Sequence, residues 1–266
     1  MNQPNRTLRL AGTSVLVFSD AAAACLAASD TIAETIRSSI QARGKAVLGL
    51  ATGASPERVY SRLVDIHRSA CLSFADVVTY NLDEYYPMCP LDPRSYRAYM
   101  HRHLFAHIDL PANRAHVLDG TVPESFAADH AADFDRWIAA DGGLDLQLLG
   151  IGRNGHIGFN EPTELPVGHA ISLSTRVVEL HGTTRSDAAK DFGGVEFVPR
   201  RALTVGIAPI LGARSIIVLA FGAHKARAVA LSLQGPVTAQ VPGSLLQDAT
   251  SAVTWMIDEA AAADLT

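Results

Sequence analysis

The chain has 266 residues, 48% of them hydrophobic and 18% charged, with a formal net charge of −5 and an isoelectric point near 6.0. This composition can build a sizeable core and excludes a disordered, collagen-like or disulfide-stapled chain, and no basic surface points to nucleic acid or anionic lipid. Cys25, Cys71 and Cys89 are far apart with no CxxC pair, which argues against a disulfide framework or a cysteine-based zinc site and for a soluble, cytosolic protein.

Arg6 and Arg9 ahead of an apolar run loosely imitate a signal peptide, but Asp20 interrupts that run. Residues 13–18 read instead as a short buried strand, with Ser19-Asp20 capping a helix over 21–43 that stops at Gly44. A strand over 46–51 follows, then the loop Thr52-Gly53-Ala54-Ser55-Pro56 and a helix placing Val59, Leu63 and Ile66 on one face. Residues 77–82 form the next strand, ahead of Asp83-Glu84 and a turn-rich stretch over 87–93. An amphipathic helix over 95–108 carries the stripe Tyr96, Tyr99, Met100, Leu104 and Ile108.

Further on come a short strand at 115–118, a helix over 124–140 and a strand at 144–151 that runs into a glycine-punctuated loop, 152–162. A strand at 215–222, a helix at 224–233, a strand at 252–257 and an alanine-rich C-terminal helix complete the chain. Its most apolar stretch, 203–221, is broken by Arg214, so nothing reads as membrane-spanning. Strands alternating with helices predict a three-layer α/β fold around a mainly parallel sheet, with 1–266 as a single domain.

Ligands of such sheets bind beyond the carboxyl ends of the strands, and three of those ends carry unusual chemistry. The turn Thr52, Gly53, Ala54, Ser55 offers backbone N–H groups and hydroxyls to a phosphate at a helix start, though any tight turn favours such small residues. Asp83 and Glu84 point to opposite faces of extended chain, so one can face a cleft while the other braces a loop; both could equally be plain loop caps. In Gly150-Ile151-Gly152-Arg153-Asn154-Gly155-His156-Ile157-Gly158-Phe159-Asn160-Glu161-Pro162, a histidine between glycines precedes a glutamate by five residues. A nearby carboxylate would fix its tautomer for general acid–base work. His103 and His107 lie four apart on one helix but read as a solvated side rather than a metal site. Trp137 and Trp255 read as anchors, and Tyr85 and Tyr86 as either pocket lining or packing.

ATGASP, NLDEYY, SYRAYM…LFAHIDLP…HVLDG, GIGRNGHIGFNEP, VPRRALTVGIAPIL and FGAHKA, in this order, closely resemble the glucosamine-6-phosphate deaminase (isomerase) family. The resemblance covers nearly the whole chain from about residue 46. It implies conversion of glucosamine 6-phosphate to fructose 6-phosphate and ammonium, with no metal and no redox cofactor. On that resemblance His156 serves the ring oxygen, Glu161 orients and tunes it, and Asp83 carries the proton between C2 and C1. Thr52, Gly53, Ala54, Ser55 and Lys225 hold the phosphate.

Three departures stand out. Asn154 sits where some members carry Asp, and it can orient an imidazole without stabilising its charge. Thr163 replaces a glycine ahead of an altered segment, 164–170, in the family's lid region. Lys190 stands where relatives have a phosphate-contacting arginine, with Arg185 as an alternative; lysine keeps the charge and loses the bidentate fork. A galactosamine-type isomer remains a candidate substrate, a 6-phosphogluconolactonase the rival enzyme, and a sugar-phosphate sensor the rival from another class. A sensor would need a DNA-binding segment, for which the expected first strand leaves no room. The resemblance is compatible with a monomer or a homo-oligomer.

Overall fold

The computed structural model describes residues 3–266. It opens with an antiparallel hairpin of β1 (Arg6–Leu10) and β2 (Thr13–Phe18). Its two turn residues, Ala11 (φ 47°) and Gly12 (φ 75°), are both left-handed, as a tight hairpin needs. The first of these strands is not legible as apolar alternation, because Arg6 and Arg9 lie on an exposed edge. In α1 (Ala21–Arg43) the Asp20 carboxylate accepts from Ala23 N–H at 2.9 Å, and Gly44 closes the helix at φ 78°.

β3 (Ala46–Leu50), α2 (Glu57–Arg68) and β4 (Val77–Asn81) follow as expected, but the turn after β4 is a further strand, β5 (Asp83–Tyr86). The helix expected over 95–108 stops sooner: α3 (Tyr96–His103) ends at Leu104, whose backbone leaves the helical region, and one 3₁₀ turn follows. Then come β6 (Ala115–His116), α4 (Glu124–Ala140), β7 (Leu146–Gly150), α5 (Val167–Ala170), β8 (Arg176–Glu179) and α6 (Gly182–Phe192). The chain continues through β9 (Arg201–Thr204), α7 (Ile207–Leu211), β10 (Ser215–Ala220), α8 (Ala226–Gln234) and β11 (Ala252–Asp258). The alanine-rich C-terminal helix does not form. Residues past Asp258 make isolated turns, with its carboxylate accepting from Ala261 N–H, and the run is too short to propagate a helix alone.

Eight strands form the central sheet in the order β1-β2-β11-β10-β7-β3-β4-β6, parallel throughout except for the hairpin at its edge. Strand alternation divides the core between its faces. In β10, Ile216, Val218 and Ala220 pack on one side with Phe134 of α4 and Val229 of α8, and Ile217 and Leu219 on the other with Ile32 of α1 and Leu63 of α2. Trp255 is fully buried in the first of these cores, whereas Trp137 is partly exposed. Burying each such large apolar side chain contributes about 1.5–3 kcal/mol.

A second sheet, β5-β9-β8, is antiparallel and was not legible in the sequence. It has its own small core of Tyr85, Phe159, Leu180, Phe192, Val198 and Ala202. The chain crosses from one sheet to the other at Leu82. Among the described residues no helix is long and apolar enough to cross a membrane.

Candidate active site

β10, β7, β3 and β4 are consecutive neighbours in the central sheet, so the segments leaving their carboxyl ends converge. These segments carry Lys225, the 152–162 loop, the Thr52–Ser55 turn and Asp83.

Asp83 and Glu84 divide the work that their alternation allows. Glu84 accepts from the backbone N–H groups of Tyr85 (2.9 Å), Tyr96 (3.0 Å) and Arg97 (3.1 Å), pinning the start of α3. Asp83 is 6% exposed, and its carboxyl has no hydrogen-bond or ion-pair partner among the described residues. Burial, and then the neighbouring Glu84, push its carboxyl up to about 8. Burial raises Glu84 as well, to about 7, against the three N–H donors that favour its charged form. Those donors favour the charged form of Glu84, and the Asp83 carboxyl has none like them.

The 152–162 loop needs glycine in two places for two reasons. A Cβ on Gly152 would lie 2.2 Å from His156 Cε1, so only glycine lets the imidazole fold back over the loop. Gly158, at φ 56°, brings the loop against Thr204 Oγ1 and Asp83 Oδ2, 3.2 and 3.5 Å from where its Cβ would stand. Phe159 N–H donates to Thr204 Oγ1 at 3.0 Å and fixes that approach.

His156 Nδ1 lies 2.7 Å from Asn154 Oδ1, and Asn154 Nδ2 donates to Glu161 Oε2 at 3.1 Å. The amide nitrogen is thus spent on the carboxylate, its oxygen accepts the Nδ1 proton, and Nε2 is left for a ligand. Glu161 Oε2 is 3.5 Å from Nδ1, so the glutamate reaches the histidine mainly through Asn154. Burial pushes the Glu161 carboxyl up, but hydrogen bonding and the charge interaction with His156, with help from Thr184 and Asn154, hold it below its ordinary value.

At the β3 end, the N–H groups of Thr52, Gly53, Ala54 and Ser55 donate to no acceptor among the described residues, and Gly53 takes a left-handed φ of 103°. Four free donors ahead of α2 make a turn that can receive an anion. Its shape is held from behind by Tyr99, whose hydroxyl donates to Gly53 O at 2.7 Å. The Lys225 ammonium makes no hydrogen bond or ion pair among the described residues. Burial lowers its pKa, Asp187 opposes that and Arg153 adds to it. Arg153 and Asp187 pair at 2.9 Å.

The two candidates on α6 differ. Arg185 donates to Val195 O at 2.8 Å and so is committed to bracing the following turn, while Lys190 is exposed on the last turn of α6 without a partner among the described residues. Tyr85 packs in the small core and the Tyr86 hydroxyl donates to Val122 O, so both are accounted for by packing. His103 packs on Tyr99 with the rings tilted and His107 Nε2 meets Arg102 O, and no cluster of three or more His, Cys, Asp or Glu side chains is placed to hold a metal ion among the described residues.

Three residues escaped the sequence reading. Thr204 stands opposite both Asp83 and Arg176 across the small sheet, so one row holds all three. Arg176 donates to Asn160 Oδ1 at 3.0 Å, fixing the residue ahead of Glu161. Thr184 lies against His156. Only the register of a sheet built from distant four-residue strands brings the first two together, and no local pattern announces it.

Comparison with known proteins gives a consistent answer. The model of the family "Glucosamine-6-phosphate isomerases/6-phosphogluconolactonase" matches residues 19–255. A glucosamine-6-phosphate deaminase from Rhodopirellula baltica is 48% identical over 235 residues, covering 88% of this chain and 90% of its own. One from Bacillus velezensis is 45% identical over 234 residues, covering 88% and 94%. The solved structure of a monomeric glucosamine-6-phosphate deaminase has 37% identity and a TM-score of 0.87, with 94% of this chain and 99% of that one covered. A 6-phosphogluconolactonase from Trypanosoma brucei, at 19% identity and a TM-score of 0.75 over 95% and 98% of the two chains, shares the fold. The chain belongs to the glucosamine-6-phosphate isomerase/6-phosphogluconolactonase family.

Proposed function

We propose that this protein deaminates and isomerises glucosamine 6-phosphate, giving fructose 6-phosphate and ammonium. The observation that carries this reading is the pairing of an unpartnered, buried Asp83 with the His156–Asn154–Glu161 network across Gly158. The relatives named above support the choice of substrate. Residues 1–266 would act as one deaminase-like domain in the cytoplasm, a reading supported by a site drawn from Thr52 to Lys225 and by three unpaired cysteines.

In this reaction the Thr52–Ser55 cradle and Lys225 hold the phosphate dianion, with Lys190 joining from α6. His156 Nε2 takes the proton of the anomeric hydroxyl and returns it to the ring oxygen, which opens the pyranose. Asp83, in its carboxylate form, then removes the C2 proton while the C1 oxygen takes the proton given up by the substrate's ammonium group, and it returns the C2 proton to C1, so C1 becomes a CH2OH and the amine-bearing carbon an iminium. Water adds at C2 and ammonia departs, completing the hydrolysis. A carboxyl group raised toward neutrality suits this shuttle, because it can accept and return a proton at little cost.

The test is an assay of ammonia and ketose phosphate with purified protein, EDTA and no added cofactor, run in parallel with galactosamine 6-phosphate and with 6-phosphogluconolactone. Turnover of glucosamine 6-phosphate that collapses in Asp83→Asn is expected. Hydrolysis of the lactone alone, or undiminished turnover in Asp83→Asn, would overturn the assignment.

A further inference from the structure

α6 meets the catalytic loop through its N-terminal half. The backbone N–H of His181 donates to Glu161 Oε1 at 3.2 Å, Thr184 Oγ1 lies 3.3 Å from His156 Nδ1, and Asp187 pairs with Arg153. Thr184 is 6% exposed on a helix whose other residues up to Asp191 are partly or fully exposed. A buried hydroxyl there requires partners on both its donor and acceptor sides.

Counting protons decides what that hydroxyl does. Asn154 already takes the Nδ1 proton on its oxygen, so Thr184 cannot donate to Nδ1. Its oxygen accepts a second share of the same N–H, which leaves its own proton for the Glu161 carboxylate, whose charged form Thr184 helps to favour. The result is a chain from imidazole N–H through the hydroxyl to the carboxylate. Asn154 is neutral, and Glu161 at 3.5 Å is too far for a strong direct bond, so Thr184 supplies a second link between ring and charge.

We propose that Thr184 is a positioning residue for the acid–base chemistry, its hydroxyl bridging His156 to Glu161 and holding the imidazole in the tautomer that presents Nε2 to substrate. This rests on the reading of His156 as the ring-opening group. Thr184 touches neither substrate nor reacting atoms and acts through the histidine alone.

The experiment compares Thr184→Val, Thr184→Ala and Thr184→Ser with wild type, using steady-state kinetics and ¹⁵N NMR of the histidine rings, with the His156 signals assigned by their loss in His156→Gln. Losing one hydrogen bond of this kind should lower kcat about 3–30-fold while KM stays within about 2-fold, and Thr184→Ser should recover most of kcat. In Thr184→Val and Thr184→Ala the Nε2–H tautomer of His156 should grow about 3–10-fold in population. Asn154→Asp places a carboxylate directly on the ring, so in that background Thr184→Val should cost less than about 2-fold. Two results would overturn the bridge: an unchanged tautomer signature in both hydroxyl-deleting variants, or a Thr184→Ser variant as impaired as Thr184→Val. The NMR readout needs no turnover. A wild type inactive on amino-sugar phosphates would therefore sink the functional reading and still leave the bridge tested.

Discussion

Asp145 and Asp83 are two aspartates of nearly equal burial, 4% and 6% exposed, at opposite ends of the central sheet. Asp145 stands just before β7 and is saturated: it accepts from Val47 N–H at 2.8 Å and pairs with Arg43 and with Arg214. Asp83 stands just beyond β4, and its carboxyl has no partner among the described residues. Burial of a carboxylate is costly in either place, and only the first is compensated from within the protein. The difference separates a carboxyl that is tied into the fold from one that the protein leaves without a partner.

The sharpest way to break this comparison is to remove each charge in turn. Asp83→Asn should lower kcat about 10²–10⁴-fold, the usual worth of a positioned proton carrier, with KM for the sugar phosphate changed far less. Asp145→Asn should do the reverse. It should destabilise the protein by about 2–4 kcal/mol in urea titration, since both arginines reach solvent and are not stranded, while turnover per folded molecule persists. Lys225→Gln tests the other unpaired charge, and KM should rise about 10–100-fold with little loss in kcat at saturation.

The smallest effect is the most diagnostic. The carboxyl of Asp83 rises from an ordinary 3.8 to about 8 on folding, so between those values the folded chain keeps a proton that the unfolded chain releases. Stability from this group is therefore present below pH 4 and is lost as pH climbs through 8. Asparagine carries no such penalty. Asp83→Asn should melt about 2–6 °C above wild type at pH 8, with the gap closing toward pH 4. A gap that does not widen with pH would mean that Asp83 is not a buried protonated carboxyl.

What the sequence made legible follows physical locality. The central strands and helices announce themselves by period and caps, down to Asp20 and Gly44 at the ends of α1. The glycine loop and the Thr52–Ser55 turn stand out because their chemistry is packed into consecutive residues. β5, β8 and β9 do not, since four-residue strands with charged ends are stable only against partners far along the chain. Thr184, Thr204 and Arg176 were missed for the same reason, because ordinary residues acquire a role from whatever the fold sets beside them. The C-terminal alanines erred the other way, since propensity without length or a packing face makes no helix.

The corner at Leu82 has a consequence for how the protein comes to life. β4 pairs with β3, which lies about thirty residues before it, whereas β5, which carries Asp83, pairs with β9, more than a hundred residues later. Pairings so far apart in sequence close slowly. Refolding chains should regain their far-UV ellipticity before they regain turnover, and a nascent chain would be structured but inert until β9 has been made.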